Sequence, residues 1–363
     1  MNTVWTFRFL GSWEDVENPA FLEQWHNAYA SAASACIFNH PVLSGIWTDT
    51  YRPKNNIAPL FCIAEKTNGR ILMPLVIWKR NIKNLFQKVI VPVGFADYDY
   101  HNPLVTGDVT QEELVAFHQE LYRHLNKFKF DAIYINGLSL VSDHDLSICL
   151  PEETCRYITI KDFRSVDDYL ATLSRKTVQE LRRRKKRILE QHTLEYIVFD
   201  KGDRKEAGKE LEKLLHHHAQ RWPKAYKTPG YHAKLVDRCL EAGLLHFSVL
   251  KLDGVSASWR LGFVDGKTFY SYMPAVDYTY KQYSLGNIHL VNCIEWAIQS
   301  KFSVYDSMRG AENYKNEWYS ESLSLYEIRF KKMTPISTTR NMFVEIVKPA
   351  VLFFLENIMN LVQ

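Results

Sequence analysis

Two stretches of the chain share one order of apolar and polar positions. Apolar runs within residues 59–78 flank Asn68-Gly69, and apolar runs within residues 246–263 flank Asp253-Gly254. Asn-Gly and Asp-Gly supply the positive φ values of a tight turn, so each stretch predicts a β-hairpin.

Each predicted hairpin leads into a third strand, a helix and a fourth strand. In the two copies the third strands are 88–93 and 268–273, the helices are 111–125 and 286–299, and the fourth strands, which end in glycine, are 131–137 and 303–310. This ordered series indicates two copies of one β-β-β-α-β unit. The predicted fold class is therefore α/β with mixed α+β sheets, built from tandem domains.

Two helices are predicted between the copies. Residues 174–190 begin at Ser174, a suitable N-cap, and are strongly basic. The charge is either a solvated face or a field that places Arg182, Arg183 and Lys186 beside a phosphate-bearing ligand.

The second of these helices, about 204–222, has Leu211, Leu215, His218 and Trp222 on one face by their spacing. His218 is thus expected to point inward, as a core histidine or a catalyst, whereas His216 and His217 are expected to point elsewhere. The triple histidine lacks the HExxH pattern, and we assign it no metal.

Composition restricts the class of protein. The formal net charge of +4 gives no argument for DNA binding, and the six scattered cysteines form neither a CxxC pair nor a zinc-ligand pattern. We therefore expect no metal site. The N-terminus does not have the pattern of a signal peptide, so we expect a cytoplasmic protein. A chain of 363 residues fits two domains, predicted at 1–160 and 161–332, followed by a tail at 333–363.

The densest group of unlike polar residues follows the last predicted strand. It comprises Asp306, Arg309, Glu312, Tyr314 and Lys315. Binding and catalytic groups concentrate in loops beyond rigid elements, so this group is a candidate reaction site; the alternative is a solvated turn with ordinary salt bridges.

A second candidate site precedes the helix at 286–299. The first amides of a helix lack internal partners and the helix dipole is positive there, so this turn could hold a pyrophosphate. The residues expected to contact an acyl donor, in the turn and on the preceding strand, are Gln282, Tyr283, Ser284, Leu285, Gly286, Asn287, Tyr272 and Met273.

Several motifs, in order, resemble the FemAB-like branch of the GNAT acyltransferases, also described as BioF2-like or CelD-like. They are Phe95-Ala-Asp97-Tyr98 with Asn102-Pro-Leu104, residues 173–183, His218-Ala-Gln-Arg-Trp222, Tyr283-Ser-Leu-Gly286, residues 306–310 and residues 314–318. The resemblance covers about residues 38–330. It implies tandem GNAT domains, the second binding an acyl donor and the first walling the acceptor cleft.

The resemblance implies roles for the candidate residues. Asp306, His218 or Asp97 would accept the amine proton, and Tyr314 would return a proton to the leaving thiolate. The residues expected to contact the acceptor are Tyr98, Arg221, Trp222, Arg309, Glu312, Lys315 and Trp318. Pro274 is expected to interrupt the strand ladder, so the amides around 272–275 would polarise the carbonyl of the acyl donor.

We therefore expect an acyl-CoA-dependent N-acyltransferase, with acetyl-CoA the favoured donor and a small-molecule or glycan acceptor. The acceptor class, an amino sugar, sugar nucleotide or precursor of polysaccharide or envelope, is implied by the resemblance alone. One alternative is a Fem-type transferase that uses aminoacyl-tRNA, since the turn at Gly286 lacks the leading arginine of a typical GNAT pyrophosphate loop. The other alternative is a degenerate tandem GNAT that serves as a binding module.

The tail contains an amphipathic stripe within residues 341–362, and Pro349 is suited to begin its helix. Charged residues interrupt the stripe, so it is not expected to span a bilayer. The helix is expected either to dock on the protein or on a second subunit, or to lie at the inner membrane face as a peripheral contact.

Overall fold

The structure, a computed structural model, describes residues 5–32, 34–223, 228–310, 312 and 314–353. The chain divides into two compact units, Met1–Glu152 with Leu325–Gln363, and Glu153–Ser324. The first boundary lies at 152/153, where 160/161 was expected. The second lies at 324/325 and not at 332/333, because the chain from residue 325 onward belongs to the first unit instead of forming a separate tail.

The strands are β1 (Thr6–Leu10), β2 (Asn56–Pro59), β3 (Phe61–Lys66), β4 (Gly69–Met73), β5 (Leu75–Lys79), β6 (Lys88–Pro92), β7 (Leu104–Gly107), β8 (Ala132–Leu138), β9 (Cys149–Thr159), β10 (Leu194–Phe199), β11 (Leu245–Leu252), β12 (Val255–Asp265), β13 (Thr268–Val276), β14 (Val304–Arg309) and β15 (Glu321–Lys331). The α-helices are α1 (Trp13–Val16), α2 (Pro19–Ser31), α3 (Pro41–Tyr51), α4 (Gln111–Leu125), α5 (Val166–Leu170), α6 (Arg175–Gln191), α7 (Arg204–Arg221), α8 (Tyr231–Glu241), α9 (Leu285–Gln299), α10 (Lys315–Trp318) and α11 (Pro335–Met342).

The first unit contains two sheets. One has the order β1-β3-β4-β7, and the strands of the other follow the order β15-β8-β6-β5-β2. The second apolar run of the first predicted hairpin forms two strands and not one. The chain leaves one sheet after β4 and enters the other at β5, with Pro74 between them. Proline cannot donate to a ladder, so it suits this point of transfer.

The second unit contains a sheet with the order β10-β11-β12-β13-β14-β9. Its β12 and β13 are antiparallel, and β13 and β14 are parallel with α9 between them in the chain. In the first unit, β5 and β6 are antiparallel, and β6 and β8 are parallel with α4 between them. The mixed α/β fold class is therefore confirmed, and both units contain an antiparallel strand pair followed by a parallel strand across a helix. In the first unit the predicted hairpin, β3-β4, lies in the other sheet, so the β-β-β-α-β series does not form one sheet there.

The helix of the tail begins earlier than predicted. Pro335, in its first turn, starts α11, and the helix continues as a π-helical turn at Phe343–Val347 and then through 348–353. Pro349 lies inside this helix and does not begin it. A proline removes one helical hydrogen bond, and a π-turn just before it can absorb the loss. Residues 354–362 of the predicted stripe lie outside the described residues.

Candidate active site

Strands β13 and β14 part within the second unit. Their parallel register runs from Thr268 opposite Val304 to Tyr270 opposite Asp306 and then ends, although β13 continues to Val276. On its other edge β13 stays paired with β12 through Pro274, so the ladder that ends in this segment is the one with β14, and it ends before Pro274. Among the described residues no strand pairs with β13 on that side beyond Tyr270, so this edge can offer backbone groups to a ligand.

Helix α9 begins beside this opening. Ser284 precedes it in the left-handed conformation, with φ 51° and ψ 46°, and its carbonyl accepts the amides of Asn287 and Ile288 at 3.0 and 3.5 Å. The amides of Leu285 and Gly286 lie ahead of this first helical bond. The start of α9 therefore has amides that precede its first helical hydrogen bond and the positive dipole end that favours an anion.

Two cavities border this helix start, and the larger of the two has a volume of about 770 Å³. Ser284, Asn287 and Ile288 of the α9 start line it, together with Trp318. Helix α6 lines it as well, through Ser174, Lys176, Thr177, Glu180, Leu181 and Arg184. Its volume lies within the range of small-molecule sites.

The cavity face of α6 differs from the predicted one. Side-chain hydrogen bonds from Arg183 and Arg184 lower the pKa of Glu180 to about 2, so this carboxylate stays charged among the cations. The side chains of Arg182, Arg183 and Lys186 are 68%, 72% and 79% exposed and pair with Asp167, Glu180 and Glu190, respectively. None of these three predicted phosphate ligands lines the cavity.

A smaller cavity, about 190 Å³, shares Asn287 with the larger one. It combines residues of α7, β12, β13, the start of α9 and the loop before α10. The lining residues are His217, Arg221, Trp222, Arg260, Pro274, Ala275, Val276, Tyr278, Gly286, Asn287 and Tyr314. Both cavities thus border the start of α9.

His217, not His218, is the histidine of α7 that faces this smaller cavity. Its ring stacks on Trp259 with centroids 4.9 Å apart, and its Nδ1 is buried without a hydrogen-bond partner among the described residues. His218 is half-buried and lies against Trp222 at 4.5 Å. The prediction that His217 points elsewhere is wrong, because Glu210 and Leu214 mark the buried face of the helix, and His217 continues that face by one turn.

Arg260 is a site residue that the sequence motifs missed. It is only 6% exposed, and its Nη2 donates to the Gly286 carbonyl at 2.9 Å and its Nη1 to Ser271 Oγ at 3.3 Å. Nearby, burial lowers the pKa of His289 well below its usual value, and the Arg260 charge acts in the same direction. An arginine inside the apolar run of β12 was the one signal that could have indicated it.

The polar group around Lys315 is built into the backbone of the strand end. Lys315 is 3% exposed, and its Nζ donates to the carbonyls of Ser307, Met308 and Arg309 at 3.0, 3.2 and 2.7 Å. Its Nζ also lies 3.2 Å from the Glu312 carboxylate. Lys315 therefore holds the end of β14 in place, and it does not line either cavity as the predicted acceptor ligand would.

Asp306 and Arg309 are also bound to nearby structure. Asp306 is 8% exposed, and its Oδ1 accepts the Met308 amide at 2.6 Å, where Met308 has a φ of 58°. Arg309 Nε lies 3.8 Å from the Glu153 carboxylate. Asp306 therefore supports the irregular end of β14 and is not among the residues that line the two cavities.

The structure separates the predicted site residues into three groups. Those that line a cavity are Arg221, Trp222, Ser284, Gly286, Asn287, Tyr314 and Trp318. Those of the second unit that line neither are Asp306, His218, Gln282, Tyr283, Leu285, Tyr272, Met273, Arg309, Glu312 and Lys315. The remaining two, Asp97 and Tyr98, belong to the first unit.

Several predicted donor contacts have buried side chains. Met273 and Leu285 are 2% and 0% exposed, and the Tyr283 hydroxyl donates to Gln191 Oε1 at 2.8 Å. The Tyr272 hydroxyl lies 3.4 Å from His232 Nε2. Their side chains serve the core, so a donor would meet this segment through its backbone.

In the first unit, Asp97 accepts hydrogen bonds from the Tyr51 hydroxyl at 2.6 Å and Trp47 Nε1 at 3.1 Å. Tyr98 is 3% exposed, stacks on Phe38 at 4.8 Å and donates to the Leu43 carbonyl at 2.5 Å. Tyr98 is thus part of the core of this unit, and the catalytic role of Asp97 stays a prediction.

Residues 175–316 match the family model described as the acetyltransferase (GNAT) domain. The match runs from α6 to α10 and includes the opening between β13 and β14 and the start of α9. The second unit therefore carries a GNAT domain, and the chain is an acyltransferase. The GNAT class that the sequence motifs indicated is confirmed.

Two solved structures share the fold. FemX covers 85% of this chain and 96% of its own length, with a TM-score of 0.59 and 10% sequence identity. A conserved protein of unknown function from Bacteroides thetaiotaomicron covers 85% of this chain and 97% of its own length, with a TM-score of 0.53 and 16% identity. No curated protein matches the sequence. At these identities the structural similarity establishes the fold, which is that of a FemX-like GNAT protein.

Proposed function

We propose that the chain is an acyl-CoA-dependent N-acyltransferase. One observation carries the proposal: β13 and β14 part near the start of α9, and two cavities border that helix start. An acyl donor with its phosphates at the α9 start could extend its acyl group along the open edge of β13. Acetyl-CoA is the simplest such donor.

The open edge of β13 and the smaller cavity offer the groups that acyl transfer to an amine needs. The amine nitrogen forms a bond to the thioester carbonyl carbon, and the carbon–sulfur bond breaks. Amides of β13 beyond the end of its pairing with β14 would stabilise the developing oxyanion. His217 is positioned to take the amine proton, and Tyr314, in the same cavity, to return a proton to the thiolate. Asp306 stays a second candidate for the proton acceptor.

The acceptor class is proposed from the family resemblance: an amino group of a sugar, a sugar nucleotide or an envelope or polysaccharide precursor. The Fem-type alternative is supported by the exposed basic face of α6, where Arg182, Arg183 and Lys186 could meet RNA phosphates. The ion pairs of these residues with Asp167, Glu180 and Glu190 reduce that field.

Thermal unfolding with acetyl-CoA, with aminoacyl-tRNA and without ligand distinguishes the candidates. Stabilisation by acetyl-CoA supports the proposal, stabilisation by tRNA alone supports the Fem-type transferase, and stabilisation by neither supports a binding module.

The catalytic roles have a separate test. Under saturating donor, His217→Gln and Tyr314→Phe should each lower turnover by about 10²- to 10⁴-fold, the usual contribution of a positioned acid or base. Asp306→Asn tests the alternative base, and Arg182→Met, at an exposed arginine that lines neither cavity, is the matched control. Near-normal turnover in His217→Gln, Tyr314→Phe and Asp306→Asn would contradict this assignment.

We also propose that the tail helix brings the enzyme to an anionic lipid surface. The helix is fixed to the first unit by polar contacts: the Ser337 hydroxyl donates to Asp131 at 2.7 Å, Asn341 accepts from Gln87 at 2.8 Å, and Lys348 donates to Asn84 at 2.7 Å. Beside the exposed polar residues Thr338, Thr339 and Glu345, the helix exposes seven large apolar side chains, with exposures of 38–68%. They are Ile336, Met342, Ile346, Val347, Val351, Leu352 and Phe353.

The hairpin loop between β5 and β6 adds to this surface. Its Ile82 and Phe86 are 66% and 43% exposed, and Asn84, between them, is the partner of Lys348. Lys79, whose Nζ lies 5.5 Å from the Phe86 ring, and the exposed Lys83 supply positive charge there. Apolar side chains beside lysines favour an anionic bilayer surface. None of the helices in the described residues is long and apolar enough to cross a membrane.

Co-sedimentation of the full chain with anionic and with neutral vesicles tests this surface. The Ile346→Glu variant should bind anionic vesicles less, whereas Leu150→Glu, at an apolar residue 47% exposed outside this surface, should not. If both variants co-sediment with anionic vesicles to the same extent as the unsubstituted chain, the membrane contact is refuted. Concentration-dependent dimerisation that Ile346→Glu abolishes would instead assign the face to a second copy of the chain.

A further inference from the structure

Arg260 carries a buried charge without an acidic partner. It is 6% exposed, and no carboxylate of the described residues lies within ion-pair distance of its guanidinium. Within the part of the chain that the structure describes, its hydrogen bonds go to two neutral acceptors, Ser271 Oγ and the Gly286 carbonyl, and its Nε has no partner. Burying an unpaired charge is costly, so such a group indicates a ligand that supplies the opposite charge.

The smaller cavity fits that interpretation. Its lining includes Arg221 as well as Arg260, and none of its described lining residues is acidic. The unpartnered Nδ1 of His217 belongs to the same lining. The side chains of Arg221, Arg260 and His217 thus border a cavity of about 190 Å³, which has room for a small charged group but not for an entire nucleotide.

We propose that Arg260 binds an oxyanion of the acceptor, a carboxylate or a phosphate, in this smaller cavity. The proposal rests on the acyltransferase function and names the charge of its acceptor. A guanidinium pairs with such groups through parallel N–H bonds. The Nε of Arg260 is buried, and each Nη has one described partner, so the remaining N–H groups of the two Nη atoms are those that an anion in the cavity would meet. Because Arg260 also donates to the Gly286 carbonyl, it would fix the anion relative to the α9 start.

The anion at Arg260 is assigned to the acceptor and not to the phosphates of the donor. The start of α9, where the donor phosphates are proposed, borders both cavities: Ser284, Asn287 and Ile288 line the larger one, and Gly286 and Asn287 line the smaller one, whereas Arg260 lines only the smaller one. The titration with coenzyme A distinguishes the two sources of the anion. An acceptor held at Arg260 would bring its amine into the cavity that contains His217 and Tyr314. Arg260 is therefore a specificity-determining residue that selects acceptors with a negative charge near the amine.

The experiment measures thermal unfolding of the full chain at constant ionic strength, set with NaCl, with sodium acetate or sodium phosphate as probes. The variants are Arg260→Met, which removes the charge, Arg260→Lys, which keeps the charge but loses the planar fork, and Arg182→Met as the matched control. Each titration is repeated with saturating coenzyme A. Without probes, acetyl-CoA stabilisation is measured separately to test the donor.

We expect acetate or phosphate to raise the Tm of the unsubstituted chain and of Arg182→Met, also with coenzyme A present. The apparent anion affinity should be about tenfold lower or worse in Arg260→Met and Arg260→Lys, as expected for loss of a charge-assisted hydrogen bond. If Arg260→Met does not fold, Arg260→Lys decides the matter.

Three results would overturn the proposal: no anion-dependent shift in the unsubstituted chain, an equal shift in the Arg260 variants, or loss of the shift with coenzyme A, which would assign the anion to the donor. Absence of stabilisation by acetyl-CoA would contradict the proposed donor instead, so the two failures are distinguishable.

Discussion

Gly286 provides a direct test of donor binding at the start of α9. A Cβ added there would lie 3.4 Å from Val276 Cγ2, which is ordinary van der Waals contact, and the backbone of Gly286 is helical. Alanine therefore fits, and it should stabilise the helix by up to about 1 kcal/mol, since glycine is the weaker helix former. The two further methyl groups of valine would occupy the space just outside the first amides of α9, where the donor phosphates are expected.

The size of the effect follows from the bonds that valine would prevent. Loss of one hydrogen bond to a charged phosphate costs about 1.5–3 kcal/mol, which corresponds to a Kd that is about 10- to 150-fold higher. Gly286→Val should weaken acetyl-CoA binding by this factor or more. Gly286→Ala should change the donor Kd much less and leave the Tm equal or slightly higher.

Calorimetric titration with acetyl-CoA measures the Kd, and thermal unfolding without ligand verifies that each variant is folded. A folded Gly286→Val variant that binds acetyl-CoA as tightly as the unsubstituted chain would refute the assignment of the donor phosphates to the α9 start. A parallel loss of Tm and affinity in Gly286→Ala would show that the position acts through the fold and not through the ligand.

Two further predictions concern buried charges. Lys315→Met should destabilise the chain by about 3–5 kcal/mol in denaturant unfolding, because three carbonyls lose a charged donor; an unchanged midpoint would contradict the structural role of Lys315. Glu210 accepts from Trp259 Nε1 at 2.6 Å and from Ser256 Oγ at 3.0 Å; burial acts to raise its pKa, but the side-chain hydrogen bonds outweigh it and lower the pKa from 4.5. A carboxylate whose pKa is lowered by folding stabilises the folded chain at a pH above its unfolded pKa. The difference in the free energy of unfolding between the unsubstituted chain and Glu210→Gln should therefore be full at neutral pH and shrink as the pH falls below 4.5. A pH-independent difference in the free energy of unfolding would show that the charge of Glu210 is not involved.

The sequence alone determined the order of the elements and the class of the protein. The turns at Asn68-Gly69 and Asp253-Gly254 and the helices at 111–125 and 286–299 were predicted within a residue or two, because hairpin turns and amphipathic periods are local properties of the chain. The two β-β-β-α-β copies and the GNAT class followed from that order. Ser174 also caps α6 as expected, since its side chain accepts the Thr177 amide at 3.1 Å.

The tertiary structure decided which polar residues meet. Helical spacing selected His218 instead of His217 for the inward face of α7, because the buried face is set by the sheet beneath the helix. Lys315 reads as a ligand in the sequence, yet its ammonium is used by the carbonyls at the end of β14. Arg260 acquires its importance only through burial, since a charge within a strand becomes a site when folding removes water and supplies no acid. Local patterns specify elements, whereas the pairing of charges depends on distances that only the folded chain fixes.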